Sequence, residues 1–305
     1  MVLLHVIVPT SSATKILSAW GFDPLVLLVV LVPGVLYWRG LRRWKHSRLQ
    51  PWQPVAFYSG LFISFLALCS PIHDLAHQLF VMHMLQHLMI QMIVPPLIIA
   101  GAPTTPMLLG TPLEFRQKVV RPLCRNSLAR FAFRGVTNPL FVYAAFMANN
   151  WGWHLVPNAY DDAVRHDSIH LVEHLSFYFT AMLFWSTIID MRPLRSRLAH
   201  VWRIPFVFFT ILQNVYLGVQ LTLRDTLLYT SYATPPRLWG MTPIADQQAG
   251  GALMWVGGDT ILVVTLVIVG ILWFHDMAKR DEAEDAKALK VQRASVNGHA
   301  VPGRR

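Results

Sequence analysis

Two pairs of histidines are the residues of this sequence best placed to do chemistry. His83 and His87 stand four residues apart in FVMHMLQHLMIQMIVPPLIIAGAP (80–103), a run otherwise apolar and long enough to cross a bilayer. His170 and His174 repeat the spacing, and His166 lies one step before them. Residues at i and i+4 share a helix face with Cβ atoms about 6 Å apart, so each pair offers two imidazoles from one helix. An ionisable group inside a span is costly unless it faces the bundle interior, and neutral imidazole is the commonest metal ligand. Four imidazoles converging from two facing helices would make a metal site. Met82, Met84, Met89 and Met92 surround the first pair. Thioether sulfur suits Cu(I); most of these methionines are expected to fill the core, with Met82 or Met84 the candidate ligands.

Other polar groups fall near the same place. His154 closes a later apolar segment on the same side. Asp246 follows Thr242-Pro243, a cap and first helical position, and either complements its own helix end or closes a metal site. Asp259 lies deeper and must face the bundle interior. His73 and His77 form an entry path or, like His166, are ordinary interfacial residues. His170-Leu171-Val172-Glu173-His174 matches the H-x-x-E-H pattern of inverted zinc hydrolases, in which two histidines bind zinc and the glutamate activates water. Glu173 has the alternative of pairing with another helix or with Arg165. A histidine pair across two helices also suits a haem-binding electron carrier.

The elements that must position these groups follow from hydropathy. Of the 305 residues 54% are hydrophobic and 14% charged, with mean hydropathy +0.42; soluble domains carry about 25% charged residues, so the chain reads as a membrane protein. Seven segments of spanning length can be drawn, at about 24–38, 54–70, 72–100, 139–156, 168–189, 204–222 and 250–274. Asp23-Pro24, Ser70-Pro71 and Asn138-Pro139 open three of them as cap and first helical position. The expected fold is an all-α, polytopic membrane helix bundle occupying 1–275, with a charged tail over 276–305 expected to be disordered. Cys69 and Cys124 form no disulfide framework. The start, MVLLHVIVPTSSA, lacks the basic region of a cleaved signal peptide.

Charge then orients the bundle. Of the 26 Lys and Arg residues, 22 lie in alternate connections and the C-terminal tail, leaving Lys15, Arg165, Arg224 and Arg237 on the opposite side. The positive-inside rule puts the N-terminus outside and the C-terminus inside, and explains the net charge of +10 without nucleic acid. Within the long inner connection, Thr111-Pro112-Leu113-Glu114 fits a capping box. It opens a basic amphipathic segment, about 111–134, suited to anionic headgroups or to a partner protein. His5, His73, His77, His83, His87, His154, His166, His170 and His174 all fall on the outer side or in the outer half of a span; His46, His200, His275 and His299 fall at the inner face.

Several stretches in series resemble one family: Ser70-Pro71, His83-Met84-x-Gln86-His87, Pro95-Pro96-Leu97 with Gly101-Ala102-Pro103, Trp153-His154 with Tyr160, His170-x-x-Glu173-His174 before Phe184-Trp185, and Asp246-Gln247-Gln248-Ala249-Gly250 before Met254-Trp255. Together they are similar to the multi-span CtaG family of bacterial cytochrome c oxidase assembly factors, associated with caa-type oxidases. The resemblance implies a seven-span, multi-pass protein of the bacterial inner (plasma) membrane, not an enzyme, that is needed to produce active oxidase and handles copper. Its partners would be oxidase subunits or a copper chaperone. The family's metal-site positions carry over to His83, His87, His154, His170, His174 and Asp246. His73, His77 and His166 lie outside that pattern. A copper permease, the haem carrier and the zinc hydrolase are the rival expectations.

Overall fold

The computed structural model describes residues 20–45, 49–190, 196–235 and 238–298, with side chains described as far as Lys290. The expectations for the N-terminal stretch, for His5, His46 and His299, and for Lys15, Arg48, Arg192, Arg195, Arg237, Arg304 and Arg305 lie outside the described residues. Helix makes up 84% of the structure and no strand occurs among the described residues, so the class is all-α.

Local sequence sets where the helices begin. α1 (Pro24–Arg43), α2 (Trp52–Cys69) and the short α3 (Pro71–Ala76) are followed by α4 (Phe80–Ala100) and α5 (Thr104–Gly110). Asp23 Oδ1 accepts from Leu25 N (2.7 Å) and Ser70 Oγ from Ile72 N (3.3 Å), as the cap-proline pairs predict. α6 (113–125) and α7 (Ser127–Val136) carry the long basic connection. α8 (Pro139–Leu155), capped by Asn138 on Leu140 N at 2.9 Å, leads through α9 (Ala159–Arg165) to α10 (Asp167–Ile188) and α11 (His200–Thr222). α12 comprises Pro243–Ala252, a π-turn at Leu253–Gly257 and Gly258–Gly298.

Among the described residues five helices are long and apolar enough to cross a membrane: α1, α2, α4, α11 and the first part of α12. The other two expected spans are helical as well. α8 has 17 residues, and the first turns of α10 are diluted by Asp167, His170, Glu173 and His174. The outward faces bear large apolar side chains, among them Leu28 and Leu31 on α1, Phe208 and Phe209 on α11, and Val267 and Ile271 on α12. Contiguous apolar surface of that extent belongs in lipid, not water. The chain is a membrane protein.

α4 sits at the centre, with 61% of its apolar window buried against 11–44% for the other four. Phe146, Phe184, Trp185, Val207 and Leu262 from α8, α10, α11 and α12 pack beside its C-terminal half. α4 also contains a π-turn, Met89–Ile93, just before Pro95. Proline has no N–H to give the carbonyl four residues earlier, which here is Gln91 O. The indole of Trp185 supplies the donor, at 2.8 Å. Near the N-terminal end of α4, Gly250 and Gly251 of α12 let α12 approach its neighbours closely: a Cβ at Gly250 would run into the Phe80 ring, and one at Gly251 would lie 2.8 Å from Thr222 N.

Three expectations need correction. The third span is not continuous from 72, because the chain leaves the helix at His77–Leu79 and restarts at Phe80. The capping box at Thr111 does not form: Thr111 Oγ1 turns back to Leu108 O (2.7 Å) and Pro112 precedes α6 with no side-chain cap. The segment from 276 continues α12 as a helix to Gly298, exposed over 281–290. Its DEAEDAKALK composition explains this, since Ala, Glu and Lys are strong helix formers and need no core to stay helical when they extend an existing helix.

Candidate metal centre

The i+4 pairs on α4 and α10 do meet. Ring centroids of His83 and His87 are 4.3 Å apart, those of His170 and His174 4.1 Å, and His87 lies 5.3 Å from His174 across the interface. His83, His87 and His174 bring one nitrogen each, with one oxygen of Glu173, to within 4.8 Å of one another, all four groups buried. Glu173 Oε2 lies 3.6 Å from His83 Nε2 and 3.8 Å from His87 Nε2. Sequence reasoning weighed Glu173 only as a catalytic carboxylate or a partner for another helix. It missed it as a fourth donor because a step of 100° separates it from His174. The α10 wedge is broad enough to turn both neighbours inward, and only helix rotation reveals that.

His170 stands just outside this group. Its Nε2 is 3.3 Å from His83 Nε2, and its ring stacks at 5.9 Å on His73 and meets His77 at 5.1 Å. Six imidazoles therefore form one continuous cluster from the α3 turn to the buried group. His166 does not join it: it precedes α10, is exposed, and turns its Nδ1 to Asp162 O.

Tyrosines of the connection between α11 and α12 fix ring orientation. Tyr232 OH gives its single proton to Ala76 O (2.9 Å) and so accepts from His83 Nδ1 (2.8 Å). That tautomer leaves Nε2 as the lone-pair nitrogen of His83, 3.6 Å from Glu173 Oε2 and 3.3 Å from His170 Nε2. Tyr229 OH pairs in the same way with His154 Nδ1 at 3.0 Å. Both tyrosines ride on a segment held by Asp161 of α9, whose carboxylate accepts from Thr230 N, Thr230 Oγ1 and Ser231 N at 2.8–3.1 Å. Burial raises the Asp161 pKa, but these hydrogen bonds from Ser231 and Thr230 outweigh it and hold the carboxyl below its usual range. Nothing in the sequence marks Asp161, Tyr229 or Tyr232 as orienting groups, because tyrosine near an interface reads as a membrane anchor.

Two of the expected ligands sit elsewhere. Asp246 is wholly buried, and its two oxygens accept from Phe80 N (2.8 Å) and Val81 N (2.9 Å), capping α4 where that helix restarts. His154 lies across a cavity of about 30 Å³ whose walls include Met84, His87, Gln91, Met92 and Met254. Met82 packs with Leu75, Leu79 and Leu238, away from the donors. Asp259 faces the interior as expected, accepting from Asn214 Nδ2 at 2.8 Å.

The donor set has the chemistry of a cation site. His87 Nδ1 and Nε2, His174 Nε2 and both Glu173 oxygens are buried without hydrogen-bond partners. A buried carboxylate left so is strongly disfavoured, and a bound cation would satisfy it. Three imidazoles and a carboxylate suit Cu(II) or Zn(II), with Cu(II) bound more tightly at equal geometry.

Comparison with known proteins points one way. Residues 35–276 match the model of a family described as cytochrome c oxidase caa3 assembly factor. Curated relatives include uncharacterized proteins of Mycobacterium bovis (Mb0105) and Mycobacterium tuberculosis (MT0111), each 26% identical over 290 residues, 90% of this chain and 42% of the relative. A third, ML1998 of Mycobacterium leprae, is 24% identical over 285 residues, 88% of this chain and 42% of its own. The chain thus spans about two-fifths of the length of these relatives. No solved structure matches it.

Proposed function

This chain belongs to the cytochrome c oxidase caa3 assembly factor family, and from that premise we propose that it binds copper near the outer face of the bacterial inner membrane and hands it to the oxidase or to a copper chaperone serving it. Copper is the cargo, and His83, His87, Glu173 and His174 are the groups that would hold it. The single observation carrying this reading is the convergence of those four buried donors within 4.8 Å, with unpartnered donor atoms among them. His73, His77 and His170 form the approach. Each step along them exchanges one imidazole for the next, which suits a site that must release its ion. The bundle is a seven-span one with the N-terminus outside; the alternation of basic connections supports that orientation, and the helices α8 and α10 supply the two further spans.

The same geometry weighs against the rivals. A porphyrin cannot enter where imidazole nitrogens are 3.3 Å apart beside a 30 Å³ cavity. Glu173 lies among the donors instead of beside a two-histidine pair, which removes the water-activating carboxylate a hydrolase would need. The reading favoured by the family and by this geometry is a role in assembly.

The test is metal content. Protein purified in detergent and loaded with Cu(II) or Zn(II) should retain one ion per chain, detected by mass spectrometry. The combined variant His83→Ala, His87→Ala, Glu173→Gln, His174→Ala should retain none. Equal retention by both proteins, or by neither, overturns the proposal.

A further inference from the structure

The cavity beside the centre has a chemistry of its own. Three methionines border it, Met84 and Met92 from α4 and Met254 from α12, and His154 closes it from α8. Met84 is 3% and Met92 7% exposed, so these thioethers are committed to the interior. At about 30 Å³ the cavity has the volume of a single water or ion. Well-packed apolar cores leave few gaps of that size. Two π-turns, Met89–Ile93 and Leu253–Gly257, supply Met92 and Met254 to its walls. Such turns are rare and recur at functional sites.

We propose that this cavity is a second metal site, a soft one for Cu(I), with Met84, Met92, Met254 and His154 as its ligands. Thioether and neutral imidazole select Cu(I) over harder divalent ions. His154 is oriented for the role by Tyr229 OH, which pairs with its Nδ1 at 3.0 Å. His87 forms part of the wall and also belongs to the four-donor centre, so the two sites adjoin. The protein would then hold copper in two environments of different hardness. This deepens the copper reading above but does not depend on the four-donor centre being occupied.

The experiment uses the full chain in detergent, with Cu(I) under reductant and Ag(I) as a redox-stable substitute, and Zn(II) as the probe of the four-donor centre. X-ray absorption at the copper edge should show Cu–S scattering in the wild type. Met92→Leu with Met254→Leu, volume-conserving changes that keep the packing, should remove that scattering. They should weaken Ag(I) binding by more than the roughly 10–100-fold that loss of an orienting partner costs, while Zn(II) binding stays unchanged. Glu173→Gln with His174→Ala should do the reverse. Selenomethionine-labelled protein, whose packing is wild type, should show Cu–Se scattering even where the leucine variants fold poorly. Cu(I) bound through nitrogen and oxygen alone, or Cu–S scattering that survives the double leucine change, overturns the second site and leaves the first standing. Cu–S scattering in protein that does not bind Zn(II) overturns the first and leaves the second.

Discussion

Asp246 separates a ligand from a cap, and the two roles predict opposite behaviour. Its carboxylate is 0% exposed and accepts from the first two N–H groups of α4, at 2.8 and 2.9 Å. Replacing Asp246 by Ala leaves both donors buried and unpaired, at about 1–3 kcal/mol each, or about 2–6 kcal/mol together. Asp246→Asn keeps one acceptor and removes the charge that complements the helix end, so roughly half that cost is expected. With about 2–4 °C of Tm per kcal/mol in a domain of this class, Asp246→Ala should melt roughly 4–24 °C below wild type. The assay is thermal unfolding of the metal-free protein in detergent, followed by tryptophan fluorescence, with bound Zn(II) or copper counted on the same samples. Because Asp246 acts on α4 through its backbone, Asp246→Asn should still bind one ion per chain in the four-donor centre, with at most a modest loss of affinity. An unchanged melting temperature with complete loss of the metal would refute the capping assignment and return Asp246 to the ligands.

Three other outcomes follow from the same geometry. Glu173→Gln should abolish ion binding at the four-donor centre yet leave the metal-free protein as stable as wild type or more so, since an unpartnered buried carboxylate is replaced by a neutral amide; a lower melting temperature for the metal-free variant would contradict this. Tyr232→Phe removes the oxygen that fixes the His83 tautomer and should weaken metal binding roughly 10–100-fold without preventing it, as read by competition with a chelator. The lowered pKa of Asp161 stabilises the Tyr229–Tyr232 segment above the unfolded carboxyl value of about 3.9, and that contribution is lost as pH falls through the lower folded value. Amide exchange of Thr230 and Ser231 should therefore gain protection between strongly acidic and mildly acidic pH, and Asp161→Asn should remove the gain.

What the sequence determined by itself was whatever depends on neighbours along the chain. The Asp23, Ser70, Asn138 and Thr242 caps before proline appear where read, because a cap needs only its own next few residues. The i+4 histidine pairs and the apolar lengths are local in the same sense, and α4 and α10 carry them as expected. The tertiary structure decided everything that depends on helix rotation and on approach between distant segments. Asp246 and Phe80 are 166 positions apart, and only the packing of α12 on α4 makes one the cap of the other. Glu173 became a donor, His154 moved to the neighbouring cavity and Tyr232 became an orienting group for the same reason. Each required a partner more than 60 residues away, brought into place by the burial of apolar surface, to which the pattern along one helix is blind.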